Sequence, residues 1–168
     1  MTPSNGLPEH VKRQWQSQLD DSQSRTCVAT PDTEFGSMHL VEVSRGCPRA
    51  CRFCAAGFIY RPFREHSLDH LRHEILDEKQ DVGRVGLVAA AVSDYGDLAD
   101  IGREILDHGG EVSVSSVRID AITVEQVKVF VDSGHKTLAL APEAGSQQMR
   151  DVINKGIDEE QILAAVKL

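Results

Sequence analysis

A chain of 168 residues with 40% apolar and 26% charged side chains has the make-up of an ordinary soluble protein, of one domain or part of a larger one, with a core that buries roughly 68–70% of the unfolded surface. Its 26 acidic against 18 basic side chains leave a net charge of −8, which weighs against non-specific nucleic-acid binding without excluding a local basic site. No run of ~18 apolar residues is present, so no membrane span is expected. The polar start has no signal-peptide core, and the expected compartment is the cytosol, where thiols stay reduced.

Residues 1–35 are polar and irregular, with one short helix predicted from Pro8 through Leu19 and a turn at Thr30-Pro31-Asp32. A regular order begins at the strand Met38–Val43. Ser67 caps a predicted helix to about Lys79 with Leu68, Leu71, Ile75 and Leu76 on one stripe. Gly86–Val92 is an apolar run typical of a strand buried on both faces. Asp94 or Asp97 opens the next helix, and Gly109-Gly110 ends it. Val112–Ile119 is the third predicted strand. Thr123 to Gln126 is a capping box whose helix stops at Ser133-Gly134. Thr137–Ala141 is the fourth strand, Ser146 starts a short helix toward Ile153, and Asp158 caps the last one.

The order βαβαβαβα predicts an α/β fold with a parallel sheet and right-handed crossovers. It divides the chain into an N-terminal segment, 1–35, and a core domain, 36–168. Four parallel strands do not close a barrel, so truncation at the C-terminus is expected, with a complete open sheet as the alternative.

The densest chemistry lies in Cys47-Pro48-Arg49-Ala50-Cys51-Arg52-Phe53-Cys54, directly after the first strand. In a βα architecture, function gathers at the carboxyl ends of strands. Three soft thiolates held close together suit an iron–sulfur cluster and leave one of four irons without a protein ligand. A zinc site completed by His66, His70 or His73 is the first competing reading, and three unligated thiols the second. Cys27 has no partner at useful spacing and reads as a small apolar side chain.

The Cys-x-x-x-Cys-x-aromatic-Cys pattern, with Phe53 as the aromatic, resembles that of radical S-adenosylmethionine (SAM) enzymes. The resemblance implies part of a (βα)6 TIM-like barrel, about four of six units. Cys47, Cys51 and Cys54 would hold a [4Fe–4S] cluster whose open iron takes SAM. A 5′-deoxyadenosyl radical would then abstract hydrogen from a substrate. It also implies an electron donor such as flavodoxin or ferredoxin. Val41 to Pro48 and Phe58 to Pro62 resemble a poorly characterised branch in which this domain follows a cobalamin-binding-like domain, which would make cobalamin a possible further cofactor. Ala141-Pro142-Glu143-Ala144-Gly145-Ser146 resembles the family's motif after the fourth strand, and Asn154-Lys155-Gly156 continues it.

Where many members carry Gly-Gly-Glu after the second strand, this chain has Ser93-Asp94-Tyr95. Asp94 is a candidate for the SAM amino group, with a plain helix cap as the alternative. Arg118 and Glu143 are further SAM candidates, against a surface salt bridge to Asp120 and a cap for the Ser146 helix. Five arginines between Ser44 and His66 face one acid, Glu65; they either offset the cluster's negative charge or simply solvate the loop. Gly145 marks a tight turn or a close backbone approach. Two non-cluster readings stay open: an incomplete, non-catalytic module that binds a cluster or partner, and a zinc-stabilised binding domain.

Overall fold

The computed structural model describes residues 10, 12–28, 30–76 and 82–168. The core sheet is parallel and runs β1 (Met38–Glu42), β4 (Arg84–Val88), β5 (Glu111–Ser113). Met38 lies opposite Arg84 and Glu42 opposite Val88, while Arg84 also faces Glu111. Beyond β5 one parallel bridge joins Val117 to Leu140. The parallel α/β architecture expected from the alternation is therefore present, as part of a TIM-like barrel.

Helices α2 (Leu68–Ile75), α3 (Leu98–Asp107) and α4 (Val124–Asp132) cover one side of the sheet. Val41, Val43, Val85, Leu87 and Val112 meet Leu71, Ile75, Ile101, Ile105 and Phe130 in one core. Two further helices close the chain, the short α5 (Gln147–Val152) and α6 (Glu159–Lys167). Side chains cap four helices at the predicted residues: Ser67, Thr123, Ser146 and Asp158 each accept a backbone N–H of the first turn. No described helix is long and apolar enough to cross a membrane.

Several elements differ from expectation. The predicted helix from Pro8 to Leu19 falls partly outside the described residues, and 12–18 are irregular; a single 3-10 turn, Leu19–Asp21, is anchored by buried Leu19. Lys79 likewise lies outside the described residues. The third strand shrinks to Glu111–Ser113 plus the bridge at Val117. Thr137–Ala141 is not a strand but contributes only Leu140 to that bridge and the Ala139 carbonyl to the Val117 amide, at 3.4 Å. Leu138 and Leu140, on one face of the extended segment, are only partly buried, so that face gains little from a full ladder there. Asp97, not Asp94, stands at the start of α3, and it makes no side-chain cap bond; Asp94 closes the 3-10 turn Val92–Asp94.

A feature absent from the alternation closes the cysteine segment at its base. β2 (Ser44–Arg45) pairs antiparallel with β3 (Arg64–Glu65), so residues 46–63 form an excursion containing the cysteines and the short helix α1 (Ala56–Ile59). Gly46 is required at its foot: φ is +90°, and an added Cβ would stand 2.5 Å from the Tyr60 carbonyl oxygen. On the other edge of β1, residues 24–26 lie alongside, with Thr26 N–H to Leu40 O at 2.8 Å and Glu42 N–H to Ser24 O at 2.9 Å.

Candidate metal and cofactor site

Cys47 and Cys51 are 8% and 7% exposed, and Cys54 is half-buried. The loop that carries them is tied down by its own main chain rather than by apolar packing. The Cys54 amide donates to Cys51 O at 3.1 Å, the Arg52 amide to Ile153 O at 2.9 Å, and Asn154 Nδ2 to Ala50 O at 2.8 Å. The Arg52 guanidinium donates to Val152 O. The loop thus sits on the last turn of α5, whose free carbonyls accept cationic donors.

The three cysteines open into a cleft of about 200 Å³ whose other walls are the segments after β4 and β5 and the stretch 141–143. Phe53, Arg118 and Glu143 line it as well. Among the described residues, Asp20, His66 and His70 form a separate group whose ligand atoms lie within 4.8 Å of one another. His66 and His70 point into their own cluster with Asp20, which removes two of the three candidates for a fourth zinc ligand.

Behind the cleft runs a chain of alternating charges. Arg49 Nη2 donates to Asp94 Oδ1 and Nε to Asp94 Oδ2 at 3.3 Å, while Nη1 reaches Asp120 Oδ2 at 2.9 Å. Arg118 grips the same Asp120, from Nε to Oδ1 at 2.9 Å and from Nη2 to Oδ2 at 3.0 Å. The two carboxylates are 7% and 6% exposed. The bond to Asp94 holds the Arg49 pKa above its ordinary value. For Arg118, burial works against the charge, but the bidentate bond to Asp120 outweighs it and the net shift is upward. Arg49 sits between Cys47 and Cys51, so this chain fixes the cysteine loop to the ends of β4 and β5.

Glu143 adopts φ +68°, unusual for a residue with a side chain, and accepts from Lys155 Nζ at 3.0 Å. Lys155 Nζ also stands 5.8 Å from the centre of the Phe53 ring. Ser93 Oγ accepts the Arg118 amide at 2.8 Å.

The residues singled out from sequence therefore divide. Cys47, Cys51, Cys54, Phe53, Arg118 and Glu143 share one cleft, whereas Asp94 turns to Arg49 and does not line it. The salt bridge of Arg118 to Asp120 exists, but it is buried rather than superficial. The loop arginines are largely committed to structure: Arg45 to Glu42, Arg49 to two aspartates, Arg52 and Arg64 to backbone carbonyls. Gly145 has no positive φ, and a Cβ there would meet nothing within 4 Å, so neither a tight turn nor a close contact within the chain demands glycine. Sequence reasoning missed Arg49, Asn154 and Lys155 as a set. Their signals were that Arg49 is one of the loop arginines and interrupts the cysteines, and that Asn154-Lys155-Gly156 continues the motif after the fourth strand; the pairings themselves were not visible.

A cleft at strand ends with three thiols is a chemical clue, and the comparisons with known proteins turn it into a family. The sequence profile of the Radical SAM superfamily matches residues 41–168. The chain belongs to the radical SAM superfamily. It is 38% identical over 136 residues to the uncharacterized protein MJ0966 of Methanocaldococcus jannaschii, covering 80% of this chain and 30% of that protein. It is 27% identical over 133 residues to the uncharacterized methyltransferase PH0819 of Pyrococcus horikoshii, covering 76% of this chain and 29% of that one. The chain thus spans about 30% of the length of these relatives. Family membership implies a [4Fe–4S] cluster and SAM, and the trio of thiols at this cleft suits that donor set.

Proposed function

We propose that Cys47, Cys51 and Cys54 hold a [4Fe–4S] cluster with one iron left free for SAM, and that the chain carries the SAM-cleaving part of an enzyme acting on a substrate not yet known. When bound, the reduced cluster and SAM together supply a 5′-deoxyadenosyl radical. The observation that carries this reading is the placement of three thiols, two nine-tenths buried, in one cleft at the carboxyl end of the parallel sheet.

In this reading the chain's own residues bind and orient. Arg49 keeps the cysteine loop against Asp94 and Asp120. Phe53, with Lys155 Nζ near its ring, forms part of the cleft wall. Arg118 and Glu143 present one cationic and one anionic side chain to the cleft, complementary to the carboxylate and amino groups of SAM. Asp94 serves SAM indirectly, by holding Arg49. The cytosol and a small electron-donor protein are part of the proposal, as is a partnership with a cobalamin-binding domain. The name of the Pyrococcus relative makes methyl transfer the first reaction class to test.

Anaerobic reconstitution is expected to load about four irons and four sulfides per chain, with broad absorbance near ~400 nm that disappears in the Cys47→Ala, Cys51→Ala, Cys54→Ala triple variant. Reduction in the presence of SAM should then release 5′-deoxyadenosine. A full cluster in the triple variant would overturn the ligand assignment. A loaded chain that releases no deoxyadenosine would leave a cluster-binding module.

A further inference from the structure

A second polar cluster lies away from the cysteine cleft. His66, His70 and Glu74 follow one another at four-residue spacing, so they share one face of α2 and the residue leading into it. The His66 and His70 rings lie parallel, with centroids 4.6 Å apart. Asp20 reaches them from the N-terminal segment, with Oδ1 3.0 Å from His66 Nδ1 and 3.1 Å from the Ser67 amide. Glu74 Oε1 stands 3.4 Å from His70 Nε2. The ligand atoms of Asp20, His66 and His70 all fall within 4.8 Å of one another.

The hydrogen bonds of this cluster do not close. The His66 side chain is fully buried and that of Glu74 is 1% exposed. His66 Nε2, His70 Nε2 and both carboxylate oxygens of Glu74 are buried without a hydrogen-bond partner. A buried carboxylate needs a cation or several donors. Arg25 is close enough to supply one, but its Nη1 donates to the main-chain oxygen of Glu74 at 3.2 Å.

We infer that Asp20, His66 and His70 form a binding site for one divalent transition ion of the zinc class, separate from the cysteine cleft, with Glu74 behind His70 as its counter-charge. Two imidazoles and one carboxylate, with water completing the shell, are a borderline N/O donor set that suits zinc, and after it iron(II) or manganese(II). The ion brings the positive charge that Glu74 lacks and uses nitrogen lone pairs that are otherwise idle. Asp20, 39% exposed, gives it a way in from solvent. The Ser67 amide fixes the Asp20 carboxylate from behind, the role an outer partner plays at metal sites. The His66 amide donates to Val43 O at 3.0 Å, so the ion would staple the N-terminal segment to α2 and the end of β1. Asp20 lies outside the stretch 41–168 that matches the superfamily, which sets this site apart from the family's shared cluster.

Cobalt(II) is the probe, titrated anaerobically into the full chain carrying its reconstituted cluster. The expected result is one further ion per chain, with visible d–d absorption, no thiolate-to-cobalt charge-transfer band and a raised melting temperature. The same spectrum should persist in the triple cysteine variant. Asp20→Asn and His70→Gln should each weaken binding at least tenfold; both positions retain some exposure, and should the histidine variant fail to fold, Asp20→Asn decides alone. The inference is overturned if the folded wild type takes up no cobalt, as when a protonated histidine balances Glu74. It is equally overturned by a thiolate-type spectrum lost with the cysteines, or by unchanged affinity in the variants. Each of these outcomes leaves the cluster reading of the cysteine cleft untouched.

Discussion

The chain Asp94–Arg49–Asp120–Arg118 and the stripe Asp20–His66–His70–Glu74 are both largely buried, and both join segments far apart in sequence, yet they meet burial in opposite ways. In the first, every charge faces an opposite charge at hydrogen-bond distance, and Asp120 serves two arginines at once. In the second, a carboxylate and two imidazole nitrogens are left without partners. The contrast separates two uses of buried polarity. A closed network fixes geometry, here the position of the cysteine loop relative to the strand ends. An open one is incomplete as protein alone and calls for a ligand.

The largest effect should come from opening the closed network. Asp120→Ala leaves the Arg118 charge buried and takes one of two partners from Arg49, so it should cost about 3 kcal/mol, read from urea unfolding. A loss near zero would mean that the network is solvated and does not hold the loop. The second test strikes the open cluster. In metal-free protein, Glu74→Gln removes a buried charge that has no partner, so stability should hold or rise by about 1 kcal/mol. A clear loss would show that Glu74 already has its counter-charge and would erase the contrast.

The smallest expected effect is a pH dependence at the foot of the cysteine loop. Glu42 is pulled upward by burial, but the bonds from Arg45 outweigh this and hold its pKa below the ordinary 4.5. A folded-state pKa below the unfolded one gives stability that is fully present above about pH 4.5 and fades as pH falls through the folded value. Glu42→Gln should therefore flatten the stability profile below that pH and leave its shape near neutrality unchanged.

Local rules were legible in the residues themselves. Ser67, Thr123, Ser146 and Asp158 could be read as caps because a short oxygen-bearing side chain before an apolar stripe satisfies the first-turn amides wherever the helix later packs. The parallel sheet followed from alternation, and the cysteine trio from the coordination chemistry of thiolates, which depends on spacing within eight residues. The extent of strands was less legible: Thr137–Ala141 has the composition of a strand, but a ladder needs a partner on its flank, and only Val117 supplies one.

Pairings between distant residues belonged to the tertiary structure. Arg49 could have joined any acid, and burial of Asp94 and Asp120 at neighbouring strand ends chose those two. Asp120 was legible as a partner for Arg118 because a single residue separates them, but not as the joint between Arg118 and Arg49. His66 and His70 carried a visible helical spacing, while the contribution of Asp20 from 46 residues upstream of His66 did not. Short-range order is written in propensities and spacings that act before the chain collapses. Long-range charge pairing is settled by which groups the core removes from water together, and that is decided only when the segments meet.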